Sequence, residues 1–295
     1  VFPALSLDVG AVEVKNPPGF GPEPLARVES ASVRVALWPL VERRVEVRKV
    51  VVSGLAVNLV RGKDGKGNWE ALVPPGKEGT PPPPESAPQP GAVPLPFMIA
   101  GVEIEKARLT LRDEAQESSL ALTNLAAFVS EFAPGKEMDA ALSFDVAGKN
   151  PDFAGAVALS GKATASSDAS RVSVAGFKVS YAPKGGATPE ALGKSQVEIA
   201  RLERTPDVSI LSGLRGDVLG VKFAADAAGE RMEKAPLVKG ALKIEPFSPR
   251  AIMEKLGGKP PADPAILAKA ALDFAFEAAG NGAAVKRFSA TLDET

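Results

Sequence analysis

Val50-Val-Val-Ser-Gly54-Leu-Ala-Val-Asn-Leu-Val-Arg61 is the stretch that decides how this chain folds. Val50 and Val52 alternate with their neighbours at period two, as residues on one face of a strand must. Leu55, Val57 and Leu59 do the same after Gly54, but on the opposite parity. A kink or bulge at Gly54 returns both groups to one face. The spacing recurs at Val102, Ile104, Leu109 and Leu111, and again at Val172, Val174, Val179 and Tyr181, with Gly176 at the break. Three copies of one strand–kink–strand pattern predict repeated β units in a sheet that curves.

Alternation extends over most of the chain. Ala31, Val33, Val35 and Leu37 form one apolar row, opposed by Val28, Ser30 and Ser32. Leu120 and Leu122 form another, as do Leu142, Phe144 and Val146, and then Phe274 and Phe276. Gly and Pro punctuate these short runs, and strands do not alternate with helices. The expected fold is therefore mainly β, an elongated curved antiparallel sheet, groove-like and built of repeating units, with a few short helices.

The best helix signal is Ser248-Pro-Arg-Ala-Ile-Met-Glu-Lys-Leu-Gly257. Ser248 suits the N-cap, Pro249 the first helical position and Gly257 the residue past the end. The expected helix covers 249–256. Asp263-Pro264 predicts a second, over 264–269, and Thr188–Gly193 a single turn. Residues 73–96 carry Pro-Pro-Gly-Lys-Glu-Gly-Thr-Pro-Pro-Pro-Pro and read as a proline-rich linker or disordered loop. The expected organisation is an N-terminal β unit over 1–72, this linker, and a β-rich domain over 97–295.

Composition limits the chemistry. The 295 residues include no cysteine and no histidine. Disulfides, thiolates, imidazole bases and the commonest zinc ligands are all excluded. Lys plus Arg is 35 and Asp plus Glu is 36, a net charge of −1, which argues against a nucleic-acid partner. Glu103 and Glu105 share one side of a strand, and Asp113-Glu114 stands at a turn. All four read as solvated rather than catalytic. Gly62-Lys-Asp-Gly-Lys-Gly-Asn68 lacks the Lys-Ser/Thr pair of a phosphate loop and reads as a hairpin turn. Interleaved Arg, Lys and Glu over 27–49 read as a solvated strand face. Trp38 and Trp69 read as core plugs. The expectation is a non-enzymatic protein with no cofactor and no metal.

Several phrases resemble the AsmA family. They are Phe2-Pro3, Leu5-Ser6-Leu7 and Gly10; Asn16-Pro-Pro-Gly-Phe-Gly21; Arg27-Val-Glu-Ser30-Ala-Ser-Val33; the Val50–Arg61 stretch; and Asp64-Gly65 with Gly67-Asn-Trp-Glu70. A second set is Pro246-Phe-Ser-Pro-Arg250, Lys255-Leu-Gly257, Asp263-Pro264 and Leu292-Asp293. The resemblance implies a periplasmic protein of the bacterial envelope that assists outer-membrane biogenesis. It implies a transmembrane helix upstream of Phe2 as anchor to the inner membrane. The chain opens on Val1 and has no run of about 18 apolar residues, so it reads as a fragment without that anchor.

The resemblance also implies a β groove, like those of TamB and the chorein bridges, that shields phospholipid or another envelope lipid. The candidate groove residues are Val33, Val35, Leu37, Val50, Val52, Leu55, Val57, Leu59, Leu109 and Leu111. Alternation alone does not separate a groove lining from a packed core. The alternative is a periplasmic scaffold that contacts outer-membrane assembly proteins through exposed edge strands.

Overall fold

The computed structural model describes residues 4–42, 45–70, 97–99, 101–131, 133–186, 193–233, 235–280 and 282–293. Strands dominate, as the alternation requires. There are eighteen among the described residues, against two short helices. The chain divides into two compact units, Val1–Ala126 and Ala127–Thr295. The proline-rich stretch 73–96 and most of the single turn expected over 188–193 lie outside the described residues.

The first unit holds β1 (Ala4–Val9), β2 (Val12–Val14), β3 (Ala26–Val28), β4 (Ser30–Ala36), α1 (Leu37–Val41), β5 (Val45–Ser53) and β6 (Ala56–Arg61). It continues with β7 (Phe97–Ile99), β8 (Gly101–Asp113) and the start of β9 (Ser118–Ser130). β1 pairs with β4 and β4 with β5, both antiparallel. β2 pairs with β3 and β3 with β6 in the same sense.

The sheet is not purely antiparallel. β5 runs parallel to β7 and β8, and β6 runs parallel to β8. β6 ends at Arg61 and the next strand among the described residues begins at Phe97, a connection long enough for the crossover that parallel neighbours need. This also corrects the expected domain boundary. Residues on both sides of the proline-rich stretch pair with one another, so 97–126 belongs with the N-terminal strands.

The predicted kink is present. Gly54 has φ +64° between β5 and β6, and Gly176 has φ +57°. In β8 the break falls at Lys106, with φ +54°. It lies beside Gly54, whose N–H donates to the Glu105 carbonyl at 3.0 Å, while the Arg108 N–H donates to the Leu55 carbonyl at 2.7 Å. Two adjacent strands therefore reverse their pleat at one level.

The buried apolar side chains, Leu25, Ala36, Val47 and Ala107, all lie in this unit. So does a buried polar knot. Asn68 is fully buried; its side-chain NH2 donates to Asn16 Oδ1 and the Asn58 carbonyl, each at 2.8 Å, and its Oδ1 accepts from Val60 N–H. Asn58 donates to the Pro24 carbonyl and accepts from Thr110 Oγ1, both at 2.8 Å. The Gly62–Asn68 segment is a turn closed by Gly62 N–H to Lys66 carbonyl at 2.8 Å. The Trp69 ring covers Gly67.

The second unit holds β10 (Met138–Lys149), β11 (Phe153–Ala165), β12 (Val172–Gly186), β13 (Ser195–Arg204), β14 (Val208–Val218) and β15 (Val221–Glu230). β16 (Leu237–Phe247), α2 (Pro249–Lys255), β17 (Ala270–Ala279) and β18 (Gly282–Leu292) follow. Each strand pairs antiparallel with the next in sequence, a nine-strand meander.

α2 forms where its caps predict. Ser248 Oγ accepts from Ala251 N–H at 3.2 Å, Pro249 opens the first turn, and Gly257 follows the end with φ +77°. The second expected helix is absent: 264–269 is a series of turns. Leu267 adopts φ +60°, and the backbone N–H groups of Leu267, Ala268 and Lys269 donate to the Asp293 carboxylate instead of to helical carbonyls. A distant acceptor outcompeted the local ladder.

Those three donors, Lys269 first, hold the Asp293 pKa below its usual 3.8. A carboxylate depressed in the folded state stabilises above the unfolded pKa, and that stabilisation is lost as pH falls through the folded value. The melting temperature is therefore expected to fall as pH drops below 3.8, and Asp293→Ala to reduce that dependence while lowering stability at pH 7. Thermal melts of both proteins from pH 7 to pH 2 check this.

Candidate functional site

The candidate site is one face of the second unit. Register sets it, because residues directly opposite on paired strands share a face. One ladder runs Met138, Ala163, Val174, Leu202, Leu211, Ala227, Gly240, Phe276, Val285. A second runs Leu142, Leu159, Val179, Val197, Gly216, Phe223, Ile244, Leu272, Ala290. A third runs Phe177, Ile199, Leu214, Ala225, Leu242, Phe274, Phe288. No polar side chain interrupts any of them.

The first and second ladders lie on opposite sides of a line of irregularities. The pairing skips Gly176 against Ala200, Ala200 against Gly213, and shifts register at Gly161 and between Leu211 and Leu214. Gly213 N–H donates to the Asp226 carboxylate at 2.7 Å where the ladder is broken. Both sides of the break face the same way. Ala163 and Val174 from the first ladder and Leu142 and Leu159 from the second line one hollow of about 390 Å³ together with Phe128 and Phe177.

No residue of the three ladders is buried. Leu202 is 43 % exposed, Val285 62 % and Phe288 67 %. Among the described residues of the second unit no strand or helix forms a second layer on this face, and Arg250 of α2 donates to the Asp263 carbonyl in the connection that follows the helix. A soluble domain ordinarily covers such a surface with a second layer. Among the described residues the face is solvent-accessible along all three ladders.

The other face is charged and wet. Lys178, Glu198, Arg215, Ala224, Lys243, Asp273 and Ser289 form its central ladder. Lys178 pairs with Glu198 at 2.9 Å and Arg287 with Asp273 at 2.7 Å. A hollow of about 660 Å³ there is lined by three acidic and three basic side chains: Glu198, Asp217, Glu245, Arg215, Lys222 and Lys243. The signs cancel, which favours no ion.

The sequence-chosen residues lie in the first unit. Val33 stands opposite Val50, which stands opposite Val102; Val52 lies between Ala31 and Ile104. Val57 lies between Ala26 and Leu109, and Leu59 opposite Leu111. Val35 faces Leu5 and Val47 beside a bulge, and Leu55 sits at the Gly54 kink. Val33, Val35, Val50, Val52, Leu55, Val57, Leu59, Leu109 and Leu111 are half-buried. Leu37 is the exception: it begins α1 and is exposed, and Trp38 beside it is 70 % exposed rather than a core plug.

The carboxylates do structural work. Glu103 pairs with Lys49, whose hydrogen bond lowers its pKa. Asp113 accepts from the N–H groups of Ala115 and Gln116 and so closes a turn. Among the described residues no helix is long and apolar enough to cross a membrane.

An open face predicts a distinctive stability pattern. Truncating a large buried aliphatic side chain costs about 2–5 kcal/mol, whereas Leu202→Ser and Leu272→Ser on this face are expected to cost about 1 kcal/mol or less. Asn68→Ala strands buried partners and is expected to cost about 1–3 kcal/mol. Urea unfolding of the three variants checks the ranking, and a large loss at Leu272 would show that something covers the face.

No curated protein and no solved structure matches this chain. A family model does match, that of the AsmA family, over residues 1–203. It spans the first unit with its Asn16–Asn58–Asn68 knot and kinked β5–β6, and the first four strands of the meander. The chain belongs to the AsmA family.

Proposed function

We propose that this chain shields the acyl chains of phospholipid or another envelope lipid along the open face of its sheet and passes them onward without covalent chemistry. Membership in the AsmA family supports an envelope-associated role in general. The observation that carries the finer reading is the set of three uninterrupted apolar ladders, none of whose residues is buried among the described residues. Exposed apolar surface on this scale is unfavourable unless a partner occupies it. The charged opposite face keeps the protein in water while an acyl chain lies on the other side. On this reading the protein works in the periplasm as an aid to outer-membrane biogenesis, tethered to the inner membrane through a helix upstream of Phe2.

A photo-crosslinking residue at Val197 or Leu272, on the apolar face, is expected to yield lipid adducts by mass spectrometry after expression in a bacterial envelope. The same residue at Lys243, on the charged face, is expected to yield none. Equal yields from both faces, or adducts from neither, would reject the reading.

A second reading, that of a scaffold for outer-membrane assembly proteins, draws on β18. Among the described residues it pairs with β17 alone, and nearly every residue from Gly282 to Leu292 is exposed. Such an edge accepts an added strand from a protein. Crosslinks from β18 to polypeptide, with none from Leu272 to lipid, would favour it.

A further inference from the structure

Four glycines of the second unit lie under aromatic rings. A Cβ built on Gly148 would fall closer than 3.0 Å to the Phe153 ring, one on Gly155 to Tyr181, one on Gly216 to Phe223, and one on Gly240 to Phe276. Gly148 with Phe153, Gly216 with Phe223, and Gly240 with Phe276 are direct cross-strand pairs, and Tyr181 stands diagonal to Gly155. None of these glycines has a positive φ, so no backbone conformation demands glycine. Gly216 and Gly240 are members of the apolar ladders. Gly148 and Gly155 follow Leu142 and precede Leu159 at even spacing on the same strands, which puts them on that same face. Each ring occupies the space a side chain would take and so lies down on the sheet.

From this we infer that these glycine–ring pairs set the clearance above the open face and are specificity-determining for an acyl chain; the inference rests on the lipid reading above. A ring standing upright would project across the face and interrupt a continuous path. A ring lying over glycine keeps the floor low at that point. The occupant that fits this floor is a methylene chain. The three ladders offer no hydrogen-bonding side chain, and the one polar group among the rings, the Tyr181 hydroxyl, already donates to the Ala154 carbonyl at 3.2 Å. A polypeptide laid there loses hydrogen bonds to water and regains none, whereas a hydrocarbon tail loses nothing.

Gly216→Ala and Gly240→Ala isolate this role. Alanine suits an extended backbone better than glycine does, so the fold is expected to survive. The new methyl must displace the ring, which lifts from the sheet or turns into the neighbouring ladder. The experiment uses the full chain and vesicles containing phospholipid with a diazirine on one acyl chain. Capture on illumination is expected to fall about fivefold or more in each variant, at an unchanged melting temperature, because overfilling an apolar site is costly. Gly216→Ala combined with Phe223→Ala removes the displaced ring and is expected to recover capture.

Capture by the natural chain with undiminished capture by both alanine variants would overturn the clearance role and leave the lipid reading standing. Failure of the double variant to recover would overturn it as well. No capture by the natural chain would remove the lipid reading itself. Should Gly216→Ala fail to fold, Gly240→Ala paired with Phe276→Ala decides by the same criteria.

Discussion

Backbone hydrogen bonding between successive strands is the interaction on which the second unit depends. Among the described residues each of its nine strands pairs with its immediate neighbours in sequence. The ladder satisfies N–H and C=O groups that would otherwise be costly to desolvate. What it does not do is bury the apolar side chains that the alternation places on one side. In an ordinary sandwich or an α+β domain a second layer would cover them. Here cross-strand contacts within the layer, each worth about 0.2–1 kcal/mol, must hold the sheet while that face stays open.

The first unit solves a different problem. It buries Leu25, Ala36, Val47 and Ala107, and it fixes its loops with polar side chains. Asn16, Asn58 and Asn68 come from three separate parts of the sequence and meet in one network. All three belong to the phrases that signal the family. Their role is to anchor the 15–25 segment and the turn before Trp69 against β6. A buried network of this kind rigidifies only when every member is satisfied, and each side-chain group of Asn68 has a partner.

The sequence made some of this legible and hid the rest for physical reasons. The kinks at Gly54 and Gly176 were readable, since a change of parity coincided with the residue that tolerates positive φ. The matching kink in β8 showed the same change of parity, but its place at Lys106 was not readable, because lysine gives no such signal and its conformation follows from lying beside Gly54. Strand alternation was readable throughout, but it is the same for parallel and antiparallel neighbours, so β8 returning alongside β5 and β6 was invisible. The 264–269 helix failed because Asp293, far along the chain, supplied the acceptor for its N–H groups. Leu37 continued the alternation of β4 yet begins α1.

The candidate face was only half legible. Leu142, Phe274 and Phe276 stood out as strand residues, but their assembly into ladders needed the register of nine strands. The pairing of Gly240 with Phe276 joins residues far apart in sequence, and no local pattern reports it.

A meander whose strands touch only their neighbours has a further property. Its cross-section is set by strand length and by the line of kinks from Gly161 through Gly213, whereas its extent is set by the number of strands. These two dimensions are independent. Inserting or deleting one hairpin would change the reach of the sheet without redrawing the profile of its apolar face, much as repeats do in a solenoid. Lineages carrying this architecture can therefore adjust span by duplication, and a single substitution that suits the face at one strand retains its meaning at the next.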